Sequence, residues 1–144
     1  MRYLKFFSMV LTITVIFSSI SFAQNNKTTY EQIENNLLAG LNSNNFGLTV
    51  SSAYYLGEFG SVRSTIPLMK LLHSGTKAEE RIVAALSLTK LKSERGIFAV
   101  KRAAKFDPSE RVRKMCKNFY TYYINQKEGE VSVGNIELAS TIKK

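Results

Sequence analysis

The stretch "SAYYLGEFGSVRSTIPLMKLL", residues 52–72, decides the fold. Its apolar residues come in two bursts at helical spacing, split by Gly60-Ser61. Such a pattern fits one helical hairpin of a small domain or one unit of a repeat. The downstream sequence chooses between them. Residues 51–72 align with residues 82–104, placing Ala53 on Ala85 and Leu56 on Leu88, 32 residues apart, and Ile66 on Ile97, 31 apart. Ala85 then aligns with Cys116 and Leu88 with Phe119, again 31 apart. A fixed period of this size, with two helices per unit, marks stacked helical repeats. The small residue recurs where neighbouring helices must approach closely. The large one recurs where the space between units is filled. A single hairpin cannot bury its apolar face alone, so units stack.

The remaining elements read as helices with short connections. Thr28 to Glu31 forms a capping-box pattern ahead of Tyr30, Ile33, Leu37, Leu38 and Leu41. Asn42 to Asn45 is a turn, and Phe46 to Phe59 is the next helix, with Val50, Ala53, Tyr54 and Gly57 near one face. A shorter helix spans about 64–72, with Pro67 in its first turn, where proline costs no hydrogen bond. Thr76 and Glu79 make a second capping box, opening a helix that carries Ile82, Ala85, Leu86, Leu88 and Leu91. Ser93 to Gly96 is a turn before a helix from Ile97 to about Phe106. Asp107-Pro108-Ser109-Glu110 places Asp at the N-cap, Pro at the first helical position and Glu at the third. The helix it opens is expected to end near Asn125. Residues 126–144 read as a tail, since Gly129 and Gly134 interrupt it and no apolar stripe runs through it, with short structure from Ile136 to Ile142 as the alternative there.

These residues also carry a family resemblance. Ala53 to Gly60, then Ile66-Pro67-Leu68 and Leu71-Leu72, resemble the HEAT-like repeat of the phycobilisome-lyase type. That repeat has an alanine-rich first helix, a Leu-Gly turn end and Ile-Pro-x-Leu opening its second helix. The match covers about residues 46–125. The second unit departs from it, with Thr89-Lys90 in place of Gly-Glu and Phe98 in place of proline. The resemblance implies a short right-handed α-solenoid of antiparallel helix pairs, an armadillo-type superhelix used as a scaffold. It does not imply lyase activity, because no pigment-binding or catalytic motif stands in this sequence.

The ends differ from the middle. Arg2 and Lys5 precede an uncharged, mostly apolar run from Phe6 to Phe22, and Ser21-Phe22-Ala23 supplies small residues at a cleavage site. Residues 1–23 therefore read as a secretory signal peptide, with 24–27 as a polar spacer, 28–125 as the helical domain and 126–144 as the tail. An uncleaved anchor is the alternative reading, the apolar run sitting at the lower edge of what spans a bilayer. With cleavage, the mature protein spans no membrane and is periplasmic or secreted.

Catalytic chemistry has few candidates among the 144 residues. The single histidine, His73, falls at a predicted helix end, where a capping role suffices. The single cysteine, Cys116, falls on the Ala53/Ala85 position, as a small core residue would, and allows no intramolecular disulfide. No His/Cys cluster has metal-ligand spacing, and no glycine loop cradles a phosphate. A non-enzyme without cofactor or metal is expected.

Charge is more informative. The formal net charge is +9, of which the leader holds Arg2 and Lys5. Residues 90–117 hold ten basic side chains against Glu94, Asp107 and Glu110. Lys101, Arg102 and Lys105 on one helix, with Arg111, Arg113, Lys114 and Lys117 on the next, are candidates for one basic surface. An ordinary solvated face is the plain alternative. Tyr55 and Tyr122 fall off the apolar side, as partner anchors or as the rim of a core. The expected function is an exported adaptor for protein–protein interaction, with an unidentified partner, an acidic protein being one candidate. The alternative is an anionic polysaccharide or lipid headgroup bound through 90–117. Nucleic acid is not the expected partner of an exported chain.

Overall fold

The computed structural model describes residues 29–141, with side chains through Gly129. The signal-peptide reading and Thr28 lie outside the described residues. The chain divides between Asn36 and Leu37 into two compact units. The described part of the first, 29–36, is helical, and helix α1 (29–41) ends in the second.

Every regular element among the described residues is helical. After α1 come α2 (Phe46–Glu58), a 3-10 turn (Val62–Ser64), α3 (Thr65–Ser74), α4 (Ala78–Leu91), α5 (Glu94–Phe106) and α6 (Glu110–Thr141). Helix α2 starts at Asn45, whose side chain accepts from the Leu48 N–H at 3.1 Å. It ends in a Schellman-type turn. The Ser61 N–H reaches back to the Leu56 carbonyl at 3.1 Å, and Gly60 takes φ +70°. A left-handed residue is needed there, which is why glycine follows Phe59. Pro67 sits in the first turn of α3, as its missing N–H requires.

Helix α4 is the centre. It packs against α2, α3, α5 and α6, while α3 also packs on α5 and α5 on α6. Four neighbours leave it little exposed surface, so Val83, Ala84, Ala85, Ser87 and Leu88 are all buried. The aligned positions agree well in burial. Ala53, Ala85 and Cys116 are fully buried, and so are Leu56 and Leu88, with Phe119 packed partly against them. Ile66 breaks the correspondence: it is 57% exposed where Ile97 is 7%.

Several starts or ends differ from expectation, α3 running on to Ser74. Helix α4 begins at Ala78, one residue later than the Thr76–Glu79 box implies, and Glu80 does the capping, accepting from the Lys77 N–H at 3.1 Å. Helix α5 begins at Glu94, because the Ser93 hydroxyl caps the Gly96 N–H. Asp107 is not the N-cap of α6, which begins at Glu110 with Ser109 accepting from the Arg113 N–H. Finally, α6 continues past Asn125 to Thr141. Gly129 and Gly134 each cost a helix only about 1 kcal/mol, and no proline follows to break it.

Candidate functional site

Polar groups inside the domain do structural work. Arg81 lies on the buried stripe of α4, one turn before Ala85. Its Nε donates to Asp107 Oδ2 at 2.8 Å and its Nη2 to Oδ1 at 3.0 Å, while Nη1 donates to the Gly75 carbonyl at 2.8 Å. Arg81 and Asp107 are each 8% exposed. The planar guanidinium fork suits a carboxylate held at two points. Its hydrogen bond to Asp107 raises the Arg81 pKa above its ordinary value, so the charge is permanent. Asp107 Oδ1 also accepts from the Ser109 N–H at 2.8 Å. One pair thus ties the end of α3, helix α4 and the α5–α6 link. An arginine on the Ala85–Leu88 stripe was the available sequence signal.

Cys116 is fully buried, and desolvation pushes its thiol up to about 12. A thiol so placed is protonated at neutral pH and is a poor nucleophile. His73 is exposed in the last turn of α3. No group of three or more His, Cys, Asp or Glu among the described residues is arranged to hold a metal ion. No described helix is long and apolar enough to cross a membrane.

The seven candidate cations fall into three groups. Arg111 pairs with Glu79 of α4, whose carboxylate is lowered by a backbone hydrogen bond and by Arg111. Arg113 is half-buried and donates to the Asp107 carbonyl at 2.8 Å and the Pro108 carbonyl at 3.2 Å, stitching the turn before α6. Lys101, Arg102, Lys105, Lys114 and Lys117 are exposed. Lys101 places its Nζ 5.4 Å from the Tyr120 ring centroid, a cation–π contact between α5 and α6. So Arg111 and Arg113 are engaged locally, and the exposed cations lie on α5 and the outer side of α6.

The two candidate tyrosines lie on different helices, Tyr55 on α2 and Tyr122 on α6. Tyr55 is 56% exposed and meets Tyr54 edge-on at 5.5 Å between ring centroids. Tyr54 belongs to a cluster with Glu58 and Lys90 at the α2–α4 junction. Hydrogen bonding to Glu58 raises the Tyr54 phenol, and Lys90 lowers the Glu58 carboxyl. Tyr122 is exposed on α6 and accepts from Gln126 at 2.7 Å. A pocket of about 130 Å³ is lined by Lys92, Tyr123, Gln126 and Lys127. It is smaller than the roughly 300 Å³ at which small-molecule sites begin. No family model matches the chain, and no curated protein matches it.

Proposed function

We propose that the chain is a short right-handed α-solenoid of HEAT-like helix pairs, exported from the cytoplasm, which acts as a non-catalytic adaptor for another protein. The succession α2, α4, α6 along one side, with α3 beside α5, supports the solenoid reading. So does the recurrent burial of Ala53, Ala85 and Cys116. The observation that carries the binding role is on α2. Leu48 and Tyr55, seven residues apart on one stripe, are 49% and 56% exposed beside Tyr54. Aromatic side chains of this kind anchor protein interfaces, because they bring large area with few rotatable bonds.

The test is capture from an envelope fraction by the full chain and by a Leu48→Ala/Tyr55→Ala variant of unchanged helicity. A partner held by the first and lost by the second is expected. Equal capture by both would refute this surface. Intact mass on exported material should place the mature N-terminus at Gln24. A second reading, an anionic ligand taken by segment 90–117, is favoured by the exposed cations of α5.

A further inference from the structure

Two neighbouring helices, α3 and α5, share an unusual exposed surface. Val62, in the 3-10 turn that leads into α3, is 79% exposed, and Ile66, one turn on in α3, is 57%. On α5, Phe98 and Phe106 are 68% and 76% exposed. These four include the most exposed large apolar side chains of the described residues. Helices α3 and α5 pack on each other and both pack on α4, so their exposed stripes lie side by side on the surface turned away from α4. Phe98, Arg102 and Phe106 follow one another at four-residue spacing, along about 12 Å of helix.

The charge of this surface has one sign. No acidic residue occurs from Val62 to Gly75 or from Arg95 to Phe106. Arg95, Lys101, Arg102 and Lys105 are exposed, and among the described residues no acid pairs with any of them. Lys70 and Lys101, 31 residues apart, put an exposed cation at the same repeat position in both helices.

We propose that the α3–α5 face docks the protein on an anionic lipid bilayer, with the Phe98 and Phe106 rings entering the headgroup region and the flanking cations meeting phosphates. This deepens the second reading above by naming its ligand. A second copy of the chain does not fit, since it would set cation against cation. An acidic protein would meet the charge, but two convex helices with apolar side chains projecting from each suit a flat, deformable surface better than a complementary socket. Interfacial binding of this kind sums buried apolar area and attraction to anionic lipid. Each basic side chain near such a surface adds to that attraction.

The sequence contains no tryptophan, which makes a direct probe available. Phe98→Trp in the full chain reports on the face itself, whatever the leader does. Vesicles of phosphatidylglycerol mixed with phosphatidylcholine should shift its emission to the blue and expose it to quenchers carried on the acyl chains. Vesicles of phosphatidylcholine alone should not, and added salt should reverse the shift. Tyr122→Trp, on α6, should stay unshifted. Arg102→Glu/Lys105→Glu in the Phe98→Trp background should weaken vesicle binding at least tenfold, with unchanged helicity by circular dichroism. No shift of Phe98→Trp with anionic vesicles would overturn the proposal. An equal shift at Tyr122→Trp, or with neutral vesicles, would also overturn it. If the Phe98→Trp protein is unshifted yet still held by heparin, the membrane inference fails while the anionic-polymer reading survives.

Discussion

Arg81 and Asp107, 26 residues apart in sequence, hold each other at two points, 2.8 and 3.0 Å, inside the helical domain. Losing one partner strands the other's charge in the interior, which typically costs about 3–5 kcal/mol. Asp107→Ala should therefore lower stability by about that amount in thermal or urea melts. Replacing both residues by apolar ones should cost less than the single change, because no charge is left unpaired. A neutral Asp107→Ala would mean that the pair contributes nothing.

Gly57 and Ser87 mark a close approach of α2 to α4. The Ser87 hydroxyl donates to the Ala53 carbonyl at 2.7 Å. A Cβ on Gly57 would lie 2.7 Å from Ser87 Cα, which is backbone and cannot rotate away. Gly57→Ala should gain helix propensity yet lose stability by about 1–3 kcal/mol, since the helices must separate. Gly129→Ala, with open space around it, should instead be neutral or stabilising by up to about 1 kcal/mol. Paired melts of the two variants check the contrast.

Leu56 and Leu88 have no exposed surface. Truncating either to Ala should cost about 2–5 kcal/mol, enough to unfold a marginally stable domain. Asn118→Ala, at an exposed position, should stay within about 0.5 kcal/mol. A neutral Leu56→Ala in thermal melts would contradict its place in the core.

Cys116 gives a pH signature. Its thiol pKa is raised from 9.0 to about 12 by burial. The folded state therefore holds the proton more tightly than the unfolded chain. That contribution is complete below pH 9.0 and is lost as pH rises toward about 12. Cys116→Ala, the residue found at the aligned positions, should flatten that part of the stability–pH curve. Native protein should resist iodoacetamide at neutral pH and react on unfolding. Rapid alkylation of the folded protein would contradict the burial.

Thr65 Oγ1 is buried with no hydrogen-bond partner among the described residues. Removing an unpaired buried hydroxyl relieves a desolvation cost of about 1–3 kcal/mol at most. Thr65→Val keeps the shape, so the melting temperature should hold or rise. A clear fall would show that the hydroxyl has a partner, such as an ordered water.

The sequence by itself determined which segments up to residue 125 are helical and how they recur, because both follow from local rules. Apolar residues three and four apart select a helix, glycine supplies the left-handed turn at Gly60, and the 31–32-residue spacing brings Ala53, Ala85 and Cys116 to the same buried depth. Tyr55 and Tyr122 were legible as exposed for the same reason, lying off the apolar stripe. Only the tertiary structure decided what competing polar groups do. Asp107 suits an N-cap locally and does accept from the Ser109 N–H, but its carboxylate is also held at two points by the buried Arg81 guanidinium, a partner 26 residues away, and α6 starts three residues beyond it. Arg111 and Arg113 belong to the same run of basic residues as Lys101 and Lys105 in sequence, yet each finds an oxygen acceptor nearby, while no acid among the described residues pairs with the two lysines. Helical periodicity says which way a side chain points. What meets it there depends on which helix packs alongside, and that is set by the whole chain.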